Sequence, residues 1–200
     1  MMTKDKDSKD KIHEQIRLRL IGRKMKTLSK MLEGSDLRSI GNSKAIAATI
    51  TRQEEFDRLF KFLFDQSRHV IMHAADALEK VSGKYPEFLA PHKKELFQLI
   101  KSATTIELQW HLALMISRVR LTGKEAAIVW TKLSGWALDK KQSRIVRVNS
   151  LQSLFDLSNQ YPGFQKLWEA IMIKLGEERV PSLSARITKL RRQTLRTRNS

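Results

Sequence analysis

A duplicated turn segment determines what kind of fold this sequence can form. Residues 78–88, LEKVSGKYPEF, reappear as residues 154–164, LFDLSNQYPGF, with Leu, Ser, Tyr, Pro and Phe in register. The two copies lie 76 residues apart, and half of that offset, 38 residues, aligns apolar positions through the sequence between them. Self-similarity at a fixed period predicts a repeat architecture, in which stacked units bury a continuous core.

Three apolar columns recur at the 38-residue spacing. They are Val70/Leu108/Val146, Leu78/Ile116/Leu154 and Val81/Val119/Leu157. Within one unit, residues 70–81 place their apolar side chains at helical spacing, which predicts one buried helix face. The Tyr-Pro pair marks the turn between units, because proline disfavours helix at the preceding residue and suits the first turn of the next helix.

The sequence therefore predicts an all-α chain of about four helix pairs. The pairs span residues 52–65 with 67–82, 87–102 with 105–120, 123–138 with 142–158, and 163–176 with 180–192. Thr51 and Glu54 predict a capping box at the start of the first pair. Ahead of the pairs, the apolar stripe of Ile21, Met25, Leu28 and Leu32 predicts a basic amphipathic helix over residues 11–33, and a short helix follows at 45–50.

These elements predict four segments along the chain. Residues 1–10 form a charged, disordered N-terminus, and residues 11–51 hold the basic helix and its connection. Residues 52–192 form the repeat array, and residues 193–200 form a basic, disordered tail.

A helix–turn–helix unit of this length, with proline at its start and an Ala/Leu-rich second helix, resembles the HEAT repeat family over residues 52–190. The resemblance implies a right-handed α-solenoid whose second helices line a concave binding surface. Known HEAT-like proteins are mostly protein–protein scaffolds, and a bacterial branch comprises alkylpurine DNA glycosylases of about this size.

The net charge of +17 is concentrated at the two ends of the chain. Residues 1–52 carry 13 Lys/Arg against 6 Asp/Glu, residues 179–200 carry 7 against none, and residues 53–178 carry 18 against 15. Such a surplus either keeps a protein soluble or attracts polyanions such as nucleic acid. The predicted phosphate contacts are Arg17, Arg19, Arg23, Lys24, Lys26 and Lys30 near one end, and Arg186, Lys189, Arg191, Arg192, Arg196 and Arg198 near the other.

Polar side chains opposite the buried face of the second helices predict a polar ladder on the concave surface. The polar ladder consists of His69, His73, Asp76, Lys80, His111, Arg118 and Asn149. These groups could hydrogen-bond a ligand across three repeats, or they could simply be hydrated. His69 and His73 have the spacing that lets two imidazoles share a metal ion, but no third ligand accompanies them, so no metal site is predicted.

Composition excludes several other classes of protein. The absence of cysteine excludes disulfides and thiolate metal sites and fits a reducing compartment.

No apolar run approaches the roughly 20 residues that cross a bilayer, and no signal-peptide core follows the N-terminus, so a cytoplasmic protein is expected. The sequence contains no glycine-rich phosphate loop, no Gly-x-Ser-x-Gly elbow and no cysteine nucleophile.

The glycosylase branch uses tryptophan beside aspartate on its concave surface, and here Trp136 precedes Asp139 by three residues. However, Trp130, Trp136 and Trp168 fall on predicted first helices, where packing is the usual role, and Trp110 shares a packing column on a second helix. We therefore expect a non-enzymatic scaffold without cofactors that associates with DNA or RNA through its basic ends. The alternatives are an adaptor that takes an acidic or helical protein segment in its groove, a glycosylase-like repair enzyme, and membrane-surface docking by residues 11–33.

Overall fold

Helices account for 83% of the residues that the computed structural model describes, which are residues 28, 30–33 and 41–198. No β-strand occurs among these residues, as the sequence predicts. The α-helices over residues 41–198 are α1 Gly41–Thr49, α2 Gln53–Phe60, α3 Arg68–Lys84, α4 Lys93–Ser102, α5 Ile106–Ile116, α6 Gly123–Leu138, α7 Arg144–Gln160, α8 Gln165–Glu177 and α9 Pro181–Arg198. Short 3-10 helices lie at Lys61–Phe64, Pro86–His92 and Pro162–Phe164.

A helix is present for each predicted member of the four pairs, but α2 ends at Phe60, α4 begins only at Lys93, and α5 ends at Ile116. The predicted capping box is wrong. Helix α2 begins at Gln53, so Glu54 occupies its second position and not the third position that a capping box requires. A capping box occurs instead at α6, where the Thr122 side chain accepts from the Glu125 N–H and the Glu125 carboxylate accepts from the Thr122 N–H.

The two Tyr-Pro turns have the same backbone hydrogen bonds. Tyr85 and Tyr161 each donate their N–H to the carbonyl four residues earlier, at 2.8 Å in both turns. Each tyrosine carbonyl then accepts from the N–H three residues later, at 3.2 and 2.9 Å. Both tyrosines end an α-helix, and the proline after each begins a 3-10 helix. The duplicated sequence therefore forms a duplicated local structure.

The three apolar columns are buried throughout, which confirms the core predicted from the 38-residue spacing. The most exposed member is Leu108, at 8%. Leu78, Leu154 and Leu157 are completely buried. Fully burying one aliphatic side chain contributes about 1.5–3 kcal/mol, so each member of these columns stabilises the fold.

The chain divides into two compact units, residues 1–78 and 79–200. In the first unit, Phe56, Leu59 and Phe60 are buried on one side of α2, because they lie three and four residues apart. Leu32 and Ile46 are also buried. These side chains belong to the apolar core of the first unit.

In the second unit, each first helix contacts the next first helix, and each second helix contacts the next second helix. Helix α6 contacts α4 and α8, while α7 contacts α5 and α9. The pairs α4/α5, α6/α7 and α8/α9 also pack internally. Helix α7 therefore has four helical neighbours, since it contacts α5, α6, α8 and α9.

Helix α9 continues to Arg198, so the tail predicted to be disordered from residue 193 is helical over 193–198. The reason is local, because no Gly or Pro interrupts residues 182–198, where Leu, Arg and Lys favour helix. Most of the predicted basic helix, together with the predicted N-terminal segment 1–10, lies outside the described residues.

Candidate nucleic-acid interface

Helix α9 is held on the second unit by one apolar stripe. Leu183, Ile187 and Leu190 follow at spacings of four and three residues and are 1%, 4% and 0% exposed. They face α7 and α8, the helices that α9 contacts. Pro181 occupies the first helical position, where a backbone N–H would have no acceptor within the helix, so the missing N–H of proline costs no hydrogen bond. The remaining faces of α9 are free to carry charge.

The exposed faces of α9 are cationic. Lys189, Arg191 and Arg192 are all exposed, and the sequence of α9 contains no acidic residue. Three of the predicted phosphate contacts are therefore accessible to solvent. Arg196 and Arg198 lie on the last turn of the helix, and their side chains are outside the described part of the structure.

Arg186, by contrast, is only partly accessible. Its side chain is half-buried and donates a hydrogen bond of 2.7 Å to the side-chain oxygen of Gln152 on α7. Burial lowers the pKa of Arg186 from its ordinary value, while the charge of Asp156 raises it by less. Arg186 therefore joins α9 to α7, and its predicted phosphate contact stays a prediction.

The N-terminal half of the predicted interface is mostly outside the described residues. Only Lys30 of that set is described, and its side chain is exposed. The other five predicted contacts lie outside the described residues; they are Arg17, Arg19, Arg23, Lys24 and Lys26.

The polar ladder does not form an open polar surface. His73, His111 and Asn149 are 2%, 1% and 7% exposed, so the prediction that they face solvent is wrong. The reason is that the second helices are buried on more than one face, as the four neighbours of α7 show. In the first unit, His73 Nδ1 lies 2.8 Å from the carbonyl oxygen of Leu32. His73 is therefore a packing residue of that unit.

Two other members of the ladder in the first unit are partly exposed. Asp76 accepts a hydrogen bond from the hydroxyl of Ser43, and His69 is half-buried. Groups of three or more side chains that could hold a metal ion are absent from the described part of the chain.

Arg118 of the ladder is bonded to the end of α3. Its guanidinium donates to the Glu79 carboxylate, to the Glu79 carbonyl at 2.7 Å and to the Ser82 hydroxyl at 2.8 Å. Lys80, the neighbouring member, is half-buried on α3. Within residues 79–200, the donors of Arg118 thus join the turn after α5 to the last residues of α3.

Asp156, on α7, is a second carboxylate near Arg118. It accepts from Gln152 at 2.9 Å and from the Ser117 hydroxyl at 3.5 Å. Burial raises the pKa of Asp156 above the ordinary carboxyl value, and the Gln152 hydrogen bond and the Arg118 charge oppose that rise. Asp156 on α7 thus interacts with the turn after α5, through Ser117 and Arg118, and with the charge of Arg186 on α9.

Arg147 and Glu178 form a buried ion pair that the sequence patterns did not predict. One guanidinium nitrogen of Arg147 donates to both Glu178 oxygens at 2.9 and 2.8 Å, and its Nε donates to the Ala137 carbonyl at 2.8 Å. A recess of about 390 Å³ opens beside this pair and is lined by Lys140 and Arg144, which are both exposed. It adds cationic surface next to the beginning of α9, since Val180 also lines it.

A cleft of about 290 Å³ lies where α7, α8 and α9 converge. Its lining combines the aromatic rings of Phe155 and Trp168 with the guanidinium of Arg191 and the carboxylate of Glu169. Sequence reasoning missed this cleft because its residues come from three helices and share no column.

Three of the four tryptophans are buried, as expected from their places on first helices: Trp130, Trp136 and Trp168 are 6%, 7% and 7% exposed. Trp110, which was also expected to pack, is half-buried. Asp139, which follows Trp136 in sequence, is exposed, and its carboxylate accepts from the Lys141 N–H at 2.9 Å.

Comparison with protein-family models, with curated proteins and with solved structures finds no match for this chain. Within the described residues, no helix combines the length and the apolar character needed to span a bilayer.

Proposed function

We propose that this chain is a non-enzymatic, right-handed α-solenoid scaffold of HEAT-like helix pairs that associates with nucleic acid through its basic ends. The observation that carries the proposal is the exposure of Lys189, Arg191 and Arg192 on α9, a helix without a single acidic residue. Cations on a rigid helix attract phosphates, and contacts of this kind supply most of the affinity for nucleic acid of any sequence.

The solenoid part of the proposal is supported by hydrogen bonds that span about one repeat. Within residues 79–200, Arg118 bonds Glu79 at a separation of 39 residues, and Ser153 donates to the Ala113 carbonyl at a separation of 40. A similar separation in successive contacts is expected when equivalent positions of adjacent 38-residue units face each other.

The proposed nucleic-acid binding is assigned to the ends of the chain because several residues of the polar ladder are buried or bonded within the protein. His111 and Asn149 are buried, and Arg118 is bonded to the end of α3. Lys140 and Arg144 extend the accessible positive charge to the beginning of α7. The supporting surface is therefore made by α9 and the loop before α7.

The test is a binding titration of the native chain against duplex DNA, single-stranded RNA, anionic vesicles and acidic peptides in parallel, each repeated at rising salt. We expect both nucleic acids to bind with affinities that fall steeply with salt. Vesicle binding without nucleic-acid binding would replace the proposal with membrane docking. Binding of acidic peptides alone would replace it with a protein adaptor.

A further inference from the structure

We propose that the cleft between α7, α8 and α9 takes one unstacked nucleobase of a single-stranded nucleic acid, with the cations of α9 holding the adjoining phosphates. This inference rests on the proposed function, because it assigns a binding site to the same basic helix. The cleft volume of about 290 Å³ is at the lower limit of small-ligand pockets and suits one base.

The floor of the cleft offers a fixed aromatic surface. The rings of Phe155 and Trp168 meet edge to face, with centroids 5.5 Å apart and an interplanar angle of 62°. Each of them is 7% exposed, so packing holds its orientation while part of it lines the cleft. Aromatic side chains bind unpaired bases of any identity, and here the exposed part of each ring offers apolar contact to a base within the cleft.

The charges around the cleft fit a nucleotide better than an apolar ligand. Arg191 is exposed and lines the cleft, so its guanidinium can contact either a base or a phosphate. Arg192 is exposed on α9 and does not line the cleft, and Lys189 is exposed one turn earlier. The cleft thus lies beside cations that can hold the chain of phosphates on either side of the inserted base.

The acidic member of the cleft supplies a hydrogen-bond acceptor. Glu169 is exposed and lines the cleft, where its carboxylate can accept a hydrogen bond but cannot donate one. Cytosine and adenine can donate to it from an exocyclic amino group, and thymine can donate from its N3–H. Glu169 therefore adds a contact to the inserted base without selecting cytosine over thymine.

Two neighbouring arginines on α9 provide a matched test. Arg191→Gln and Arg192→Gln remove the same charge from exposed positions, but only Arg191 lines the cleft. Labelled oligodeoxycytidine and labelled duplex DNA are the two probes, each titrated with the native chain and both variants at one salt concentration, and a labelled acidic peptide is titrated in parallel. We expect equal weakening on the duplex, and on oligodeoxycytidine an additional loss of about tenfold for Arg191→Gln, as expected for losing one base contact.

The outcomes separate this inference from the proposed function. Equal weakening by the two variants on both probes would overturn the cleft site and leave phosphate binding intact. No binding of either probe by the native chain would remove both proposals. Arg191-dependent binding of an acidic peptide, without binding of oligodeoxycytidine, would assign the cleft to a protein partner and overturn the inference.

Trp168 supplies a direct signal of occupancy. Oligodeoxycytidine should quench the intrinsic fluorescence of the native chain, and the quenching should disappear in Trp168→Phe although Trp110, Trp130 and Trp136 remain. Quenching that persists in this variant would place the base at another tryptophan and overturn the inference. Circular dichroism checks that the variant keeps its helix content.

Discussion

The hydroxyl of Tyr161 forms two hydrogen bonds with the backbone of Leu121, 40 residues earlier in the chain. It accepts from the Leu121 N–H at 3.0 Å and donates to the Leu121 carbonyl at 2.7 Å. Leu121 is buried, so water cannot easily replace the tyrosine. The turn that ends α7 is thereby joined to the segment before α6.

This relationship predicts that Tyr161→Phe lowers the free energy of unfolding by about 1–3 kcal/mol, since it leaves two backbone groups without partners. Tyr85 is the matched control because it occupies the same place in the other Tyr-Pro turn. Within the described residues its hydroxyl has no hydrogen bond, and its ring stacks on Phe88 with centroids 5.0 Å apart. Tyr85→Phe should therefore change stability little in urea unfolding. Equal losses in the two variants would contradict the assigned role of the Tyr161 hydroxyl.

The Arg147–Glu178 pair predicts a larger effect. Its side chains are 4% and 10% exposed, so Glu178→Gln leaves a buried guanidinium without its counter-charge. We expect a loss of about 3–5 kcal/mol in the free energy of unfolding. The exposed pair of Arg52 and Glu55 is the control, and Arg52→Gln should cost less than about 1 kcal/mol. A small effect of Glu178→Gln, measured by chemical denaturation, would show that the pair is not closed in solution.

Asp156 predicts a pH dependence of stability. Because burial raises its pKa in the folded protein, the folded state binds the proton more tightly than the unfolded chain does. The contribution of Asp156 to the free energy of unfolding is therefore fully present below the ordinary aspartate pKa. It is lost as the pH rises through the raised pKa. Asp156→Asn removes this titration, so its stability relative to the native chain should increase between about pH 4 and neutral pH.

Glu125 provides the control of opposite sign. Its pKa is lowered, first by Lys93 and then by the Thr122 N–H, so its contribution is present above the ordinary glutamate pKa and is lost on acidification. The stability of Glu125→Gln relative to the native chain should therefore decrease as the pH rises through the lowered value. Unfolding midpoints measured across this pH range should show the two opposite trends, and parallel trends would contradict the burial of Asp156.

Arg179 is the non-glycine residue with positive φ in the described chain, at 52°. It follows α8, where glycine is the usual residue because it has no Cβ to disfavour the left-handed conformation. Arg179→Gly should raise the unfolding midpoint, with a gain of up to about 1 kcal/mol. Arg179→Gln separates charge from backbone, since it removes the charge and should leave stability almost unchanged. A similar gain in both variants would mean that charge and not conformation is the cause.

The sequence predicted the helices and the buried columns because both depend on local spacing. Leu78 and Leu154 are buried as the period requires, and both Tyr-Pro turns end helices. The same approach failed for His111 and Asn149, since a helical wheel assumes one buried face whereas α7 is surrounded by four helices. Packing of one helix against several others depends on the tertiary structure and cannot be predicted from the spacing of residues along the sequence.

The candidate interface was predictable only in part. The absence of acidic residues from α9 is visible in the sequence and predicted Lys189, Arg191 and Arg192 as exposed cations. Arg186 belongs to the same charged run, and only its hydrogen bond to Gln152 reveals that it is a packing residue. Convergence of three helices creates the cleft, so no pattern within one helix could indicate it.

The salt dependence of DNA binding is the most direct measurement of the proposed nucleic-acid interface on α9. Each phosphate contact contributes about −0.9 to the slope of log K against log salt on duplex DNA. Replacing Lys189, Arg191 and Arg192 together with Gln should flatten that slope by about 2–3. The control replaces Lys94, Lys124 and Lys166, three exposed lysines of the first helices, and removes the same charge. We predict a flatter slope for the α9 variant only, and equal slopes for the two variants would contradict a nucleic-acid interface on α9.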